Sequence, residues 1–451
     1  MRRYPAYKDS GVTWLGDVPA HWEMDRLRWS VQMCKNGIWG SDPEGEDGII
    51  CVRVADFDRD RSLVSLENPT LRLLTPSEME DRILQRGDLL LEKSGGGEKQ
   101  PVGFVVLYDH EHEAVCSNFV ARMPIADMQN SKYWNYLNRY LYSIRVNVRS
   151  IKQTTGIQNL DSYSYLCEQV LFPPLAEQTA IANYLDRKTA QIDAVIAKKE
   201  RLIELLREER TAVISQAVTK GLNPDAPMKD SGFAWLGEVP SHWGIDRLRW
   251  SVIMCKNGIW GSEPEGEDGI ICVRVADFIR DRSLVSLENP TLRLLTPSEK
   301  EDRILQSGDL LLEKSGGGEK QPVGFVVLYD HEHEAVCSNF IARMPVAPQQ
   351  DSRYWNYLNR YFYFVRVNVR SIKQTTGIQN LDSYSYLCER VPYPPLDEQT
   401  AIASYLDQKT TEIDQTITRT EAQIELLREY RTALISAVVT GKIDVCEEVE
   451  E

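Results

Sequence analysis

Residues 87–119 read GDLLLEKSGGGEKQPVGFVVLYDHEHEAVCSNF, and residues 308–340 read the same without one change. The identity extends outward on both sides. KDSG at 8–11 returns at 229–232, RVNVRSIKQTTGIQNLDSYSYLCE at 145–168 returns at 366–389, and the halves align without a gap at a constant offset of 221. A period of that length exceeds any solenoid repeat, so each copy holds at least one domain with its own core. The 451-residue chain is a tandem duplication.

Each copy has three zones of different texture. A short opening segment, Trp14-Leu15-Gly16 through His21-Trp22, is rich in turn residues and tryptophan. A mixed region follows from about Trp29 to Pro174, with strand-like runs such as Gly48-Ile-Ile-Cys-Val-Arg-Val and Gly103-Phe-Val-Val-Leu-Tyr broken by Gly, Pro and Asp clusters. Its one clear helix candidate, Tyr133 through Tyr140, carries aromatics suited to packing a core. The third zone runs from about Glu177 to Val218 without Gly or Pro and stops at Gly221. Its apolar residues recur at helical spacing: Ile181, Leu185, Ile192, Ile196, Ile203, Leu206, Val213 and Ala217. The second copy repeats the stripe at Ile402, Leu406, Ile413, Ile417, Ile424, Leu427, Leu434 and Val438. About 40 residues of helix make a rod of roughly 60 Å. The stripe is narrow and interrupted by Lys188, Lys199 and Arg210, which predicts a coiled-coil seam with the matching rod of the other copy. A helix lying along its own domain is the alternative.

Composition narrows the class. Hydrophobic content of 42% and charged content of 26% are those of a globular protein, and no apolar run of 18 residues could span a bilayer. The start, MRRYPAYKDS, lacks the apolar stretch of a secretory signal, so the expected location is cytoplasmic. Cys34, Cys51, Cys116, Cys167, Cys255, Cys272, Cys337, Cys388 and Cys446 include no CxxC pair and are expected to be small buried hydrophobes. A net charge of −15 argues against a nucleic-acid partner only on average. Screening limits the reach of surface charge to roughly 10 Å, so an acidic chain can present a local basic face.

Two segments of each mixed region have that character. Glu92 through Pro101 follows an apolar strand and opens into a glycine-rich loop. There Gly95 and Gly96 permit close backbone approach, while Lys93, Ser94, Lys99 and Gln100 offer charge and hydrogen bonds. The counterparts are Lys314, Ser315, Gly316, Gly317, Lys320 and Gln321. The segment lacks the Gly-Lys-Ser/Thr ending of a nucleotide-binding P-loop. Arg145 through Leu160 carries three positive charges and no acid. Gln153, Thr154, Thr155, Gln158 and Asn159 can pair with base edges, and Arg149 and Lys152 suit phosphate or guanine. Arg370, Lys373, Gln374, Thr375, Thr376, Gln379 and Asn380 repeat the set. A solvated surface loop is the competing reading.

No catalytic constellation assembles. Asn68-Pro69-Thr70 departs from the adenine-methylation motif at its third position, and no glycine-rich cofactor fingerprint follows a strand. Asp56-Phe-Asp58-Arg-Asp60 has no following Gly for a calcium loop, and Asp58 is Ile279 in the other copy. His110 and His112 lack a third ligand, so no metal site is expected.

The ordered segments Lys8 through Trp22, Pro174 through Ile181, Ile192-Asp193, Leu205 through Glu208 and Ala217 through Gly221, with their repeats from Lys229, Pro395, Ile413, Leu426 and Ala437, resemble those of type I restriction-modification specificity subunits. The resemblance covers essentially the whole chain. It implies an α+β fold in which two mixed, β-rich target-recognition domains are joined by two long helices as an antiparallel coiled-coil spacer, with pseudo-twofold symmetry. The corresponding division is a first segment 1–28, recognition domain 29–174, helix 175–221, linker and repeated opening segment 222–249, recognition domain 250–395, helix 396–442 and acidic tail 443–451. The implied role is a non-catalytic DNA-recognition subunit whose domains each read half of a bipartite site on double-stranded DNA. Two methyltransferase subunits and motor-nuclease subunits are the implied partners. S-adenosylmethionine, ATP and Mg²⁺ are implied in those partners and no cofactor in this chain. One feature departs from the family pattern: the two mixed regions differ at only about one position in eight. Under a twofold relation such domains would read the same half-site on opposite strands, an inverted repeat. A methylation-only system and a structural adaptor without a DNA role are the alternative readings.

Overall fold

The computed structural model describes residues 2–446 apart from Glu44, Glu46, Asp47, Thr155, Glu267 and Thr376. It divides into two compact units, residues 1–199 with 422–451 and residues 200–421. Each unit takes part of both long helices.

In the first unit the strongest apolar run, Leu89–Glu92, is buried at every residue and lies inside a six-stranded mixed sheet. Burial on both faces explains why this strand reads as continuous leucine instead of alternating. It is flanked antiparallel by Val120–Met123 and Val105–Leu107, and the latter pairs in parallel with Leu63–Val64. A three-stranded sheet, Ala114–Cys116, Ile49–Val52 and Leu71–Arg72, packs its apolar side into the same core. The helix Ser131–Ser143 starts where the Asn130 side chain accepts from the backbone N–H groups of Lys132 and Tyr133, each at 3.1 Å. Tyr133 and Trp134 are fully buried, as their core role required. The second unit repeats these elements, with Asp351 capping Ser352–Phe364.

The long helices are Leu175–Lys220 and Leu396–Val439. Prolines precede each, and each is followed by a glycine with positive φ, Gly221 at 73° and Gly441 at 72°. Trp22 and Trp243 of the opening segments are completely buried. Their indole N–H groups donate to Glu177 at 2.8 Å and Glu398 at 2.9 Å, in the first turn of the respective helix. His21 and His242 hold the other oxygens of those carboxylates at 2.6 Å. The opening segment is thus a clamp on the helix start.

Within the first unit, Asp193 pairs with Arg431 and Lys199 with Gln423. Within the second, Arg207 pairs with Glu421 and Arg210 with Asp414. In both cases rising numbers on one helix meet falling numbers on the other, so the paired segments run antiparallel. Ile181, Leu185, Ile192, Ile196 and Ile203 are buried, as are Ile402, Leu406, Ile413, Ile417, Ile424 and Leu434. Leu206, Val213 and Leu427 are half-buried, and Ile214 is buried beside Val213. Arg210, read from sequence as an interruption of the stripe, is instead only 8% exposed and bound to Asp414 at 2.6 Å.

The cysteine expectation needs correction. Cys51, Cys116, Cys272 and Cys337 are buried, Cys34, Cys167, Cys255 and Cys388 half-buried, and Cys446 exposed. Cys446 lies 3.7 Å from the Tyr4 hydroxyl. No helix among the described residues is long and apolar enough to cross a membrane.

Candidate nucleic-acid interface

The segment read as a basic loop is a short 3-10 turn, Val146–Ser150, followed by the hairpin Ile151–Thr154 and Ile157–Leu160. Gly156, at φ 80°, sits in its turn. Thr155 and its counterpart Thr376 lie outside the described residues; Gln153, Thr154, Gln374 and Thr375 occupy strand positions beside them.

The hairpin brings the two sequence candidates together. Ser94–Gly95 of the glycine-rich segment adds a third strand, with Ser94 opposite Asn159 and Gly95 opposite Gln158. Lys152 faces Asn159 on the other side. Directly paired residues of an antiparallel sheet share a face. Ser94, Asn159 and Lys152 therefore form one row across three strands, and the Ser94 hydroxyl meets Asn159 Oδ1 at 2.6 Å. Lys93 donates to Asn36 Oδ1 at 2.6 Å. In the second unit Ser315 meets Asn380 at 2.5 Å, Lys314 donates to Asn257 at 2.6 Å, and Lys373 faces Asn380.

The alternate residue of the strand turns inward. Gln158 is 9% exposed, and its Oε1 accepts from the Val102 backbone N–H at 3.2 Å; Gln379 does the same for Val323. This corrects the reading of Gln158 and Gln379 as base-contacting residues, because their carboxamides are used inside the fold. Gln158→Leu is expected to leave that N–H without its partner and to cost about 1–3 kcal/mol. Urea unfolding measures the loss, and DNA affinity of the folded fraction stays unchanged.

Gly96 and Gly97 continue into a tight loop in which the Gly97 N–H donates to the Gln100 carbonyl at 2.9 Å. A Cβ at Gly96 would meet the Gln100 oxygen and Val102 nitrogen, both at 2.8 Å, whereas one at Gly95 would meet nothing within 4 Å. Gly96, and Gly317 in the second copy, therefore serve loop closure; Gly95 and Gly97, with Gly316 and Gly318, leave open space for another molecule. Lys99, Gln100, Lys320 and Gln321 are exposed.

The charge of the face is tempered by acids that flank the segment. Lys152, 74% exposed, reaches Asp161 at 2.7 Å and holds that carboxyl below its ordinary range. Arg149 lies 3.7 Å from Glu168. Lys373–Asp382 and Arg370–Glu389 repeat both pairs. Such exposed pairs are weak and exchangeable, so a phosphate can replace the carboxylate.

Sequence reasoning missed the aromatic part of this surface. The Phe119 carbonyl accepts from the N–H groups of Lys93 and Ser94, yet its ring is 51% exposed. Tyr163, whose backbone N–H donates to Asp161, is 70% exposed. Phe340 and Tyr384 match them. Exposed rings beside lysines suit stacking and apolar contact with bases. Among the described residues no group of three metal-ligating side chains occurs, and the His110 ring instead bonds to the Val64 carbonyl at 2.8 Å.

No family model matches the chain. A Methanocaldococcus jannaschii protein provisionally named the type I restriction enzyme MjaX specificity subunit is 20% identical over 451 residues, covering 97% of this chain and 98% of its own. The Escherichia coli K12 type I restriction enzyme EcoKI specificity subunit is 24% identical over 341 residues, 73% of this chain and 69% of its own. A chain solved in work on complex assembly and conformational transition of the type I R-M system is 15% identical with a TM-score of 0.70, covering 94% of this chain and 99% of its own. The HsdS subunit from Thermoanaerobacter tengcongensis, also 15% identical, has a TM-score of 0.54 over 94% of this chain and 98% of its own. This chain is similar in sequence to type I restriction enzyme specificity subunits and shares the fold of an HsdS subunit.

Proposed function

We propose that this chain is the non-catalytic DNA-specificity subunit of a type I restriction-modification complex, and that the outer face of each three-stranded sheet reads one half of a bipartite site. The observation that carries the reading is the row Ser94–Asn159–Lys152, exposed at Asn159 and Lys152, repeated with the same partners as Ser315–Asn380–Lys373. Lysine contacts position a duplex, while asparagine and serine can read base edges. Because the rows are identical, the site is an inverted repeat.

The paired helix segments act as an antiparallel coiled-coil spacer under a pseudo-twofold relation. The antiparallel order of their ion pairs within each unit supports this reading. Two methyltransferase subunits and restriction subunits complete the assembly in the cytoplasm, and S-adenosylmethionine, ATP and Mg²⁺ act there and not in this chain.

Selection of duplexes from a random pool by the purified chain tests the proposal. Enrichment of one half-site in inverted orientation is expected; recovery of duplexes without any common sequence refutes it.

A further inference from the structure

The two copies are nearly identical, and one of their least conservative differences, Phe364 against Ser143, falls at a cavity. In the second unit a cavity of about 480 Å³ is lined by Arg280, Lys320, Arg360 and Arg366, against a single carboxylate, Asp281. That volume lies within the roughly 300–1,000 Å³ of small-molecule sites. Phe364 lines it too, with 62% of its surface exposed. Among the described residues, Lys320, Arg360 and Arg366 make no ion pair, and although Arg280 holds Glu313 at 2.9 Å, its Nη1 is buried without a partner. Four cations converge here in a chain of net charge −15.

Arg366 is held at φ 58°, a left-handed conformation that an arginine adopts only when its surroundings impose it. Burial and the nearby Arg210 pull the Arg360 guanidinium down to about 10, so a second anion beside it would relieve an existing repulsion. In the first copy Phe364 is replaced by Ser143, and Ile279, next to Arg280, by Asp58. The first copy therefore keeps the cations, as Arg59, Lys99, Arg139 and Arg145, but lacks the ring and carries a carboxylate next to Arg59 in sequence, at Asp58.

We propose that the second unit carries a site for one nucleotide, its phosphate held by Arg280, Lys320, Arg360 and Arg366 and its base against Phe364. Guanidiniums match phosphate oxygens in bidentate geometry, and an exposed ring offers a stacking platform that every base can use. The nucleotide comes either free, as a 5′-mononucleotide, or as a unit of bound DNA. The site is defined without reference to the recognition sheets, so it stands or falls separately from the proposed function.

Titration calorimetry of the full chain with AMP, without DNA, is expected to give one site per chain. Phe364→Ser, the residue the first copy already tolerates, weakens AMP at least tenfold while inorganic pyrophosphate stays within threefold. Arg366→Gln weakens both at least tenfold. Ser143→Phe combined with Asp58→Ile raises the AMP stoichiometry from one to two. Duplex DNA displacing AMP identifies DNA as the source of the nucleotide, and AMP binding beside bound duplex identifies the free form; both support the site. Absence of saturable AMP binding, or AMP affinity unchanged by Phe364→Ser, overturns it.

Discussion

Asp193→Ala is expected to destabilise the first unit by about 3–5 kcal/mol, the usual consequence of stripping a buried charge of its partner. Arg431 is 7% exposed, and Asp193 binds it. Its Nε is buried without a partner. Arg139, itself buried and pulled down to about 10 by desolvation and by Arg431, adds a second cation to the same place. Removing Asp193 therefore leaves the two guanidiniums repelling each other, with Asp60 a carboxylate that still acts on Arg139. The companion double variant, Asp193→Leu with Arg431→Met, is expected to recover most of the loss, since an apolar pair of similar volume is often as stable as a buried ion pair. Urea unfolding of the full chain measures both. A single-variant loss below about 1 kcal/mol would place the pair among ordinary surface ion pairs.

The second large effect is on DNA. Replacing Lys152 and Asn159 by Ala together with Lys373 and Asn380 is expected to reduce affinity for the selected site about 100-fold or more, because each good base contact contributes about 1–3 kcal/mol. The two residue types separate by their signatures. Loss of both lysines makes the dependence of log affinity on log salt shallower by roughly two, one for each phosphate released. Loss of both asparagines leaves that slope unchanged and erodes preference for the site over unrelated duplex. Fluorescence anisotropy across a salt series measures both. All four side chains are exposed, so thermal stability stays at the level of the parent chain. Unchanged affinity in the quadruple variant would remove the three-stranded sheet from the interface.

Much of this architecture was legible in the sequence, for reasons that are specific. The tandem repeat needs only alignment, and the long helices announce themselves by spacing, by flanking prolines and by a terminal glycine. The hairpin was harder. Its strands, Ile-Lys-Gln-Thr and Ile-Gln-Asn-Leu, are four residues each and rich in polar side chains, so a solvated strand and a loop look alike. The direction of Gln158 depends on pairing with Gly95, which lies 63 positions earlier, and alternation alone does not say which parity faces inward. Arg210 looked like a break in an apolar stripe because its partner, Asp414, is 204 residues away. Phe119 and Tyr163 carry no local mark that distinguishes an exposed ring from a core one.

Under the proposed function, two identical reading faces select a symmetric target. Mapping methylated adenines across the genome of a host that expresses this chain with its methyltransferase tests it most directly. One motif made of a half-site and its inverted copy around an unread spacer is expected. Two unrelated half-sites, or methylation without a motif, would contradict it.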